Sequence, residues 1–196
     1  AAYDHQQPIF IDAEESWIQK AIDDIADECM NTFNQQQCIV WNTYQLYRTD
    51  RLEFLAKSIQ KAKDHRYYLG AKLVRGAYME KERERAAKMG YPSPIHPNKQ
   101  ATDKAYNEAL TLCVENIDKV SLCAGTHNEE SSQHLVDLID KYQLNKNDKR
   151  IYFSQLLGMS DHLSFNLAKE GYNVVKYVPY GPVKSVLPYL IRRAQE

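Results

Sequence analysis

The sequence predicts an α/β fold, a TIM-like (β/α)8 barrel of which this chain supplies about six strand–helix units. Short apolar, β-branched runs alternate with stretches whose apolar residues recur at the helical period. Most runs begin about thirty residues apart, which is the size of one strand–helix unit. Polar side chains follow every run. Together these observations indicate a parallel sheet flanked by helices, in one domain over residues 1–196.

Six apolar runs predict the strands, because each is short, rich in β-branched or aromatic residues, and followed by polar or turn-forming residues. The runs are PIFIDAE (8–14), CIVWNTY (38–44), GAKLVRGAY (70–78), KVSLCAGT (119–126), IYFSQLL (151–157) and NVVKYVP (173–179).

The stretches between these runs predict amphipathic helices whose apolar faces pack on the sheet. The run EKERERAAK (80–88) predicts a solvated helical face, a further helix is expected over 161–169, and Pro182 marks the start of the last helix. The expected core faces are Ile18, Ile22, Ile25 and Cys29; Leu52, Leu55, Ile59 and Ala62; Ala105, Ala109, Leu112 and Cys113; Leu135, Leu138, Ile139 and Tyr142; and Val183, Val186, Leu187, Leu190 and Ile191.

Periodicity alone leaves an open doubly wound sheet and a closed barrel as alternatives. Polar residues at the carboxyl end of every strand favour the barrel, because an open sheet concentrates its site at one switch point. A barrel needs eight strands and the sequence predicts six. We therefore expect two further strands from residues that precede Ala1, or from a partner chain.

Composition excludes several classes of function. The net charge of -1 does not favour a nucleic-acid partner. No apolar run approaches the ~20 residues that span a bilayer, and residues 1–10 lack the layout of a signal peptide. The four cysteines form no CxxC pair, so neither a metal site nor a disulfide framework is expected. Dinucleotide, P-loop and nucleophile-elbow motifs are absent from the sequence.

The remaining candidates are cations, amides, tyrosines and carboxylates, a set that recognises anions and polar rings. Lys72 and Arg75 lie in an apolar strand, on opposite faces unless a bulge near Gly76 redirects Arg75; a solvated ion pair is the alternative. Arg192 and Arg193 could grip a carboxylate, or could simply complete a basic helix end.

The segment Thr126–His127–Asn128 follows the fourth apolar run. Helix capping would explain Asn128, whereas three successive polar residues also suit a phosphate or a ribose.

In several segments the sequence resembles the proline dehydrogenase family. The matching segments are IDAEES (11–16), NTYQ (42–45), KLVRGAYMEKER (72–83), THN (126–128), QLLGM (155–159) and KYVPYGPVKSVLPYLIRRAQE (176–196). The resemblance implies a distorted (β/α)8 barrel with non-covalent FAD that oxidises L-proline to Δ1-pyrroline-5-carboxylate. It also implies hydride transfer to flavin N5 and electron transfer to a membrane quinone. Because the family's early barrel strands have no counterpart in this sequence, we expect FAD binding to depend on the part that completes the barrel.

The resemblance also implies roles for individual residues. Arg192 and Arg193 would bind the proline carboxylate. The substrate pocket would be lined by Asp12, Tyr78, Leu156, Tyr177 and Tyr189. The flavin ring would be flanked by Lys72, Arg75, Asn42 and Val74. The remainder of FAD would be held by Lys99, Thr102, Thr126, His127, Asn128, Gln155 and Glu196.

Several alternatives stay open at this point. A hydroxyproline dehydrogenase is one, although Tyr189 favours proline as the substrate. A non-catalytic barrel fragment that binds protein is another, and a flavin-free lyase or isomerase using Glu14 and Lys72 is a third. The expected location is the bacterial cytoplasm, peripheral to the inner membrane, with the mitochondrial matrix or inner membrane as the alternative.

Overall fold

A computed structural model describes residues 1–194, apart from the side chains of Ser185, Pro188, Tyr189 and 192–194. In the described residues six parallel strands form a single sheet in sequence order, and each strand pairs with the next. The strands are β1 (Ile9–Ile11), β2 (Val40–Gln45), β3 (Leu69–Val74), β4 (Val120–Gly125), β5 (Ile151–Leu156) and β6 (Val174–Tyr177). All six predicted strands are confirmed, and each is shorter than the apolar run that predicts it.

Helices follow every strand, and two of them lie between β3 and β4. The helices are α1 (Ser16–Phe33), α2 (Arg51–His65), α3 (Met79–Met89), α4 (Lys99–Glu115), α5 (Glu129–Lys141), α6 (Asp161–Lys169) and α7 (Val183–Ala194). The charged run at 80–88 lies within α3, as predicted.

The hydrophobic core lies between the sheet and helices α2, α4 and α5. Alternate strand residues supply it, among them Leu73, Leu122 and Phe153, all essentially inaccessible to solvent. Each such side chain contributes about 1.5–3 kcal/mol by burial. The predicted inward faces of α2, α4 and α5 are largely confirmed, although Tyr142 is exposed.

The predicted core face of α1 is wrong at two positions. Ile18 is 43% exposed and Ile25 58% exposed, whereas Gln19 and Asp23 turn inward. The physical reason is a buried polar network on this helix: Asp23 forms an ion pair with Arg51 of α2 at 2.7 Å. That pairing requires the Asp23 side of α1 to face the protein, which rotates the isoleucines outward.

The predicted burial of the last helix is also wrong at four of its five positions, Val186 being partly buried. Val183 is 76% exposed, and Leu187, Leu190 and Ile191 are all more than 40% exposed. Helix α7 follows β6 at one edge of the sheet, and the described residues supply no element that covers these side chains.

Candidate functional site

The inner face of the sheet is strongly concave. Trp41 of β2 contacts Tyr152 of β5 edge to face, with ring centroids 6.2 Å apart, and Lys72 of β3 lies 5.7 Å from the ring of Tyr177 on β6. Strands three positions apart lie about 14 Å from each other in a flat sheet. Side chains that meet across that interval therefore require the sheet to curl, as in a barrel.

Lys72 lies at the centre of this concave face. Its ammonium donates to the Asp12 carboxylate and lies 5.6 Å from the ring of Phe10, in addition to its contact with Tyr177. The Lys72 side chain is 17% exposed and that of Asp12 52% exposed, so the pair is open to a ligand on one side. Thr43 Oγ1 also approaches Asp12, at 3.5 Å. The structure thus brings three predicted site residues together at the carboxyl ends of strands β1, β3 and β6.

The surroundings of Tyr177 keep its phenol protonated. Partial burial, with the nearby Asp12 carboxylate, raises the pKa of Tyr177 above its ordinary value. Leu156, its register partner on β5, is buried on the same face, and Val74 shares the face of Lys72 because it lies two residues along β3. On the concave face the Lys72–Asp12 ion pair therefore lies beside apolar and aromatic side chains, among them Leu156 and Tyr177.

Arg75 leaves the end of β3 in the opposite direction, as strand alternation predicts. Its guanidinium donates to Asp103 Oδ1 at 2.7 Å, Thr126 Oγ1 at 2.6 Å and Ser131 Oγ at 3.0 Å. The same group stacks on the ring of Tyr106, 4.5 Å from its centroid. Arg75 therefore ties the ends of β3 and β4 to the N-terminal halves of α4 and α5.

The segment that follows β4 combines capping with ligand-binding potential. Asn128 Oδ1 accepts from the amide of Ser131 at 2.8 Å and so caps α5. Thr126 Oγ1 accepts from the Asn128 amide at 3.1 Å as well as from Arg75. His127 is exposed and lies 3.0 Å from Ser160 Oγ. The capping interpretation is confirmed for Asn128. The Thr126 hydroxyl and the His127 imidazole lie beside this cap, at the carboxyl end of β4.

Three further predicted residues lie in α4 and β5. Lys99 donates to Asp103 from the first turn of α4, where the buried Thr102 bonds the Asn98 carbonyl at 3.4 Å. Gln155 is buried between the Thr126 carbonyl and Ser164 of α6.

Tyr78 donates to the Glu14 carboxylate beside α3. Asn42 is not brought to the concave face: it lies on the helix side and donates to Asp23 at 2.9 Å. The side chains of Tyr189, Arg192 and Arg193, and all of Glu196, lie outside the described residues.

Sequence reasoning missed Asp103, Tyr106 and Ser131, the partners of Arg75. Asp103 could have been found from its position four residues after Lys99 in a helix, which places the two side chains on one face. Two cavities of about 840 and 700 Å³ lie elsewhere, between outer helices rather than at the strand ends. The residue chemistry, and not cavity size, therefore marks the candidate site.

The fold and the position of the polar side chains define the class of protein to which this chain belongs. Six parallel strand–helix units curl into part of a (β/α)8 barrel, with charged and aromatic residues at the carboxyl ends of the strands. Active sites of barrel enzymes lie at that end.

The chain belongs to the proline dehydrogenase family, whose sequence model matches residues 1–196. It is 41% identical over 206 residues to mitochondrial proline dehydrogenase 1 of Drosophila melanogaster, covering 100% of this chain and 30% of that protein. The human proline dehydrogenase 1 is 41% identical over 191 residues, covering 96% and 32%. The chain thus spans about a third of the length of these relatives. A hydroxyproline dehydrogenase of Xenopus laevis is 40% identical over 96% of this chain and 41% of that protein.

Solved structures show the same fold. Proline utilization A from Bdellovibrio bacteriovorus, inactivated by N-propargylglycine, superposes with a TM-score of 0.92 at 23% identity, covering 98% of this chain and 20% of that one. A mutant of the Bradyrhizobium japonicum protein gives a TM-score of 0.87 at 24% identity, covering 100% and 20%.

Proposed function

We propose that this chain forms part of an FAD-dependent enzyme that oxidises L-proline to Δ1-pyrroline-5-carboxylate. Membership of the family supports the reaction class. The single structural observation that carries the proposal is the half-buried Lys72 ammonium, which lies between Asp12 and Tyr177 on the concave face.

The donor set of the site suits FAD. Lys72 supplies a cation on the concave face. Further donors lie at the start of α4 and after β4: the ammonium of Lys99, the hydroxyl of Thr126, the imidazole of His127 and the amide of Asn128. Such groups match an anionic phosphate and a ribose, and the start of a helix such as α5 favours negative charge. When bound, FAD supplies the hydride acceptor, while the protein supplies orientation and electrostatics.

The side chains of this chain have separable roles in the proposal. Lys72 stabilises negative charge that develops nearby, because a fixed cation in a partly desolvated site needs no reorganisation during the reaction. Asp12 fixes the ammonium by accepting its hydrogen bond. Tyr177 and Leu156 wall the pocket against water. Arg192 and Arg193 are proposed to bind the substrate carboxylate, since guanidinium groups match planar oxyanions.

The proposed electron acceptor is a membrane quinone, and a segment or partner chain is proposed to complete the barrel. Relatives in several eukaryotes carry the word mitochondrial in their names, which favours a mitochondrial location in the proposal. Among the described residues no helix combines the length and apolarity that a bilayer crossing requires.

The test replaces Lys72 by Met and measures proline-dependent dye reduction. Loss of one preorganised charge contact is expected to lower kcat about a hundredfold. Lys176→Met is the matched control: Lys176 is also a strand lysine paired to an aspartate, Asp161 at 2.7 Å, but it lies on the helix side of β6. Near-normal turnover by Lys72→Met, or an equal loss in both variants, would overturn the proposed role.

Hydroxyproline oxidation is the second candidate, because the Xenopus laevis relative carries that name. Comparison of kcat/KM for L-proline and trans-4-hydroxyproline separates the two. The proposal expects proline to be preferred, and a preference for hydroxyproline would favour the second candidate.

A further inference from the structure

Asp103 accepts hydrogen bonds from Lys99, a cation of the proposed FAD site, and from the neighbouring Arg75. One carboxylate oxygen accepts from Arg75 Nε at 2.7 Å, and the other accepts from Lys99 Nζ. The Asp103 side chain is only 24% exposed, whereas that of Lys99 is 70% exposed. A partly buried anion thus fixes an otherwise solvent-facing ammonium next to the end of strand β3.

The remaining partners of Arg75 make this arrangement rigid. Thr126, Ser131 and the Tyr106 ring hold the guanidinium from three other directions, so its position is set by both helices. Asp103 is consequently anchored by a group that cannot rotate away. Although partial burial acts in the other direction, the hydrogen bonds from Lys99 and Arg75 hold the pKa of Asp103 below its usual range. The carboxylate is therefore ionised at neutral pH.

We infer that Asp103 is a positioning residue for FAD binding: it orders Lys99 beside Arg75, so that the Lys99 ammonium meets the anionic part of the ligand already oriented. This inference rests on the proposed function. A lysine side chain free in solvent loses considerable rotamer freedom when it binds, and a preordered one has lost it already.

The sign of the effect distinguishes positioning from bulk electrostatics. Removal of a carboxylate near an anionic ligand, considered alone, strengthens binding because repulsion decreases. Loss of ordering weakens it. The inference predicts that ordering dominates, so that Asp103→Asn binds FAD about threefold to tenfold more weakly than the wild type.

The experiment measures the FAD dissociation constant by quenching of flavin fluorescence, on the protein whose barrel is completed by the proposed segment or partner chain. Glu108→Gln is the matched control, because it removes the i,i+4 partner of Lys104, at 3.8 Å, from the same helix without touching Arg75. Its FAD affinity should equal that of the wild type. Asp103→Glu keeps the charge and should lie closer to the wild type than Asp103→Asn.

A second readout separates positioning from a merely structural role. At saturating FAD, Asp103→Asn should retain kcat and KM for proline, since no contact joins Asp103 to Lys72 in the described residues. Unchanged or tighter FAD binding by Asp103→Asn, or weakening matched by Glu108→Gln, would overturn the inference and leave the proposed function intact. A wild-type protein that binds no FAD even with its barrel completed would overturn both.

Discussion

The buried ion pair between helices α1 and α2 should make Asp23 one of the most sensitive positions in the fold. Asp23 accepts from Arg51 at 2.7 Å, and from Gln19 and Asn42 at 2.9 Å each. The side chains of Asp23 and Arg51 are 5% and 9% exposed. In Asp23→Asn the new amide must face at least one of these donors, because every contact of the carboxylate is an accepted hydrogen bond.

The magnitude follows from burial. Removal of one partner of a buried ion pair costs about 3–5 kcal/mol, and Arg51 keeps its pairing with Asp50, so the expected loss is about 3 kcal/mol. For a chain of this length that lowers the melting temperature by roughly 6–12 °C.

Urea unfolding followed by circular dichroism gives the free energy of unfolding. Asp24→Asn is the matched control: the neighbouring carboxylate pairs with Lys20 but is 64% exposed, so its replacement should cost under about 0.5 kcal/mol. If Asp23→Asn proves as stable as Asp24→Asn, the buried network does not hold α1 against the sheet.

Three further predictions concern packing, thiols and pH. Gly70→Ala should cost about 1–3 kcal/mol in thermal unfolding, because a Cβ there would lie 2.6 Å from the Val40 carbonyl oxygen; wild-type stability would contradict this close approach. Burial raises the pKa of Cys123 to about 12, so mass spectrometry should find it unalkylated at neutral pH while the unfolded protein reacts; rapid native labelling would contradict its burial. Hydrogen bonds from Arg150 lower the pKa of Asp148, so its stabilisation is present above the ordinary carboxyl pKa and is lost as pH falls through the lowered value. Asp148→Asn should therefore flatten the decline of the urea midpoint below about pH 4, and an unchanged decline would argue against this ion pair.

Much of the fold could be predicted from local pattern. The six strands and the inward faces of α2, α4 and α5 follow from apolar periodicity, because these elements bury apolar side chains against the sheet. The inward face of α1 could not be predicted in this way, since Asp23 and Gln19 turn inward, where Gln19 donates to Asp23 and Asp23 pairs with Arg51. Apolar periodicity carries no information about which polar residues find partners across the fold.

The candidate site shows the same division. Strand alternation predicts that Lys72 and Arg75 lie on opposite faces, and the structure confirms it. Alternation does not say which face is concave. The position of Asn42 on the helix side of the sheet could therefore not be predicted. The meeting of Lys72 with Tyr177 depends on the curl of the sheet across β3 to β6, which is a property of the whole strand set rather than of either segment.

The concave face around Lys72 is proposed to bring proline and a flavin together. The most direct measurement is the visible absorption spectrum of the FAD-loaded protein during anaerobic addition of L-proline. We expect the oxidised flavin band to disappear with proline, and to do so about a hundredfold more slowly in Lys72→Met. A band that proline leaves unchanged, or a colourless protein that still consumes proline, would contradict it.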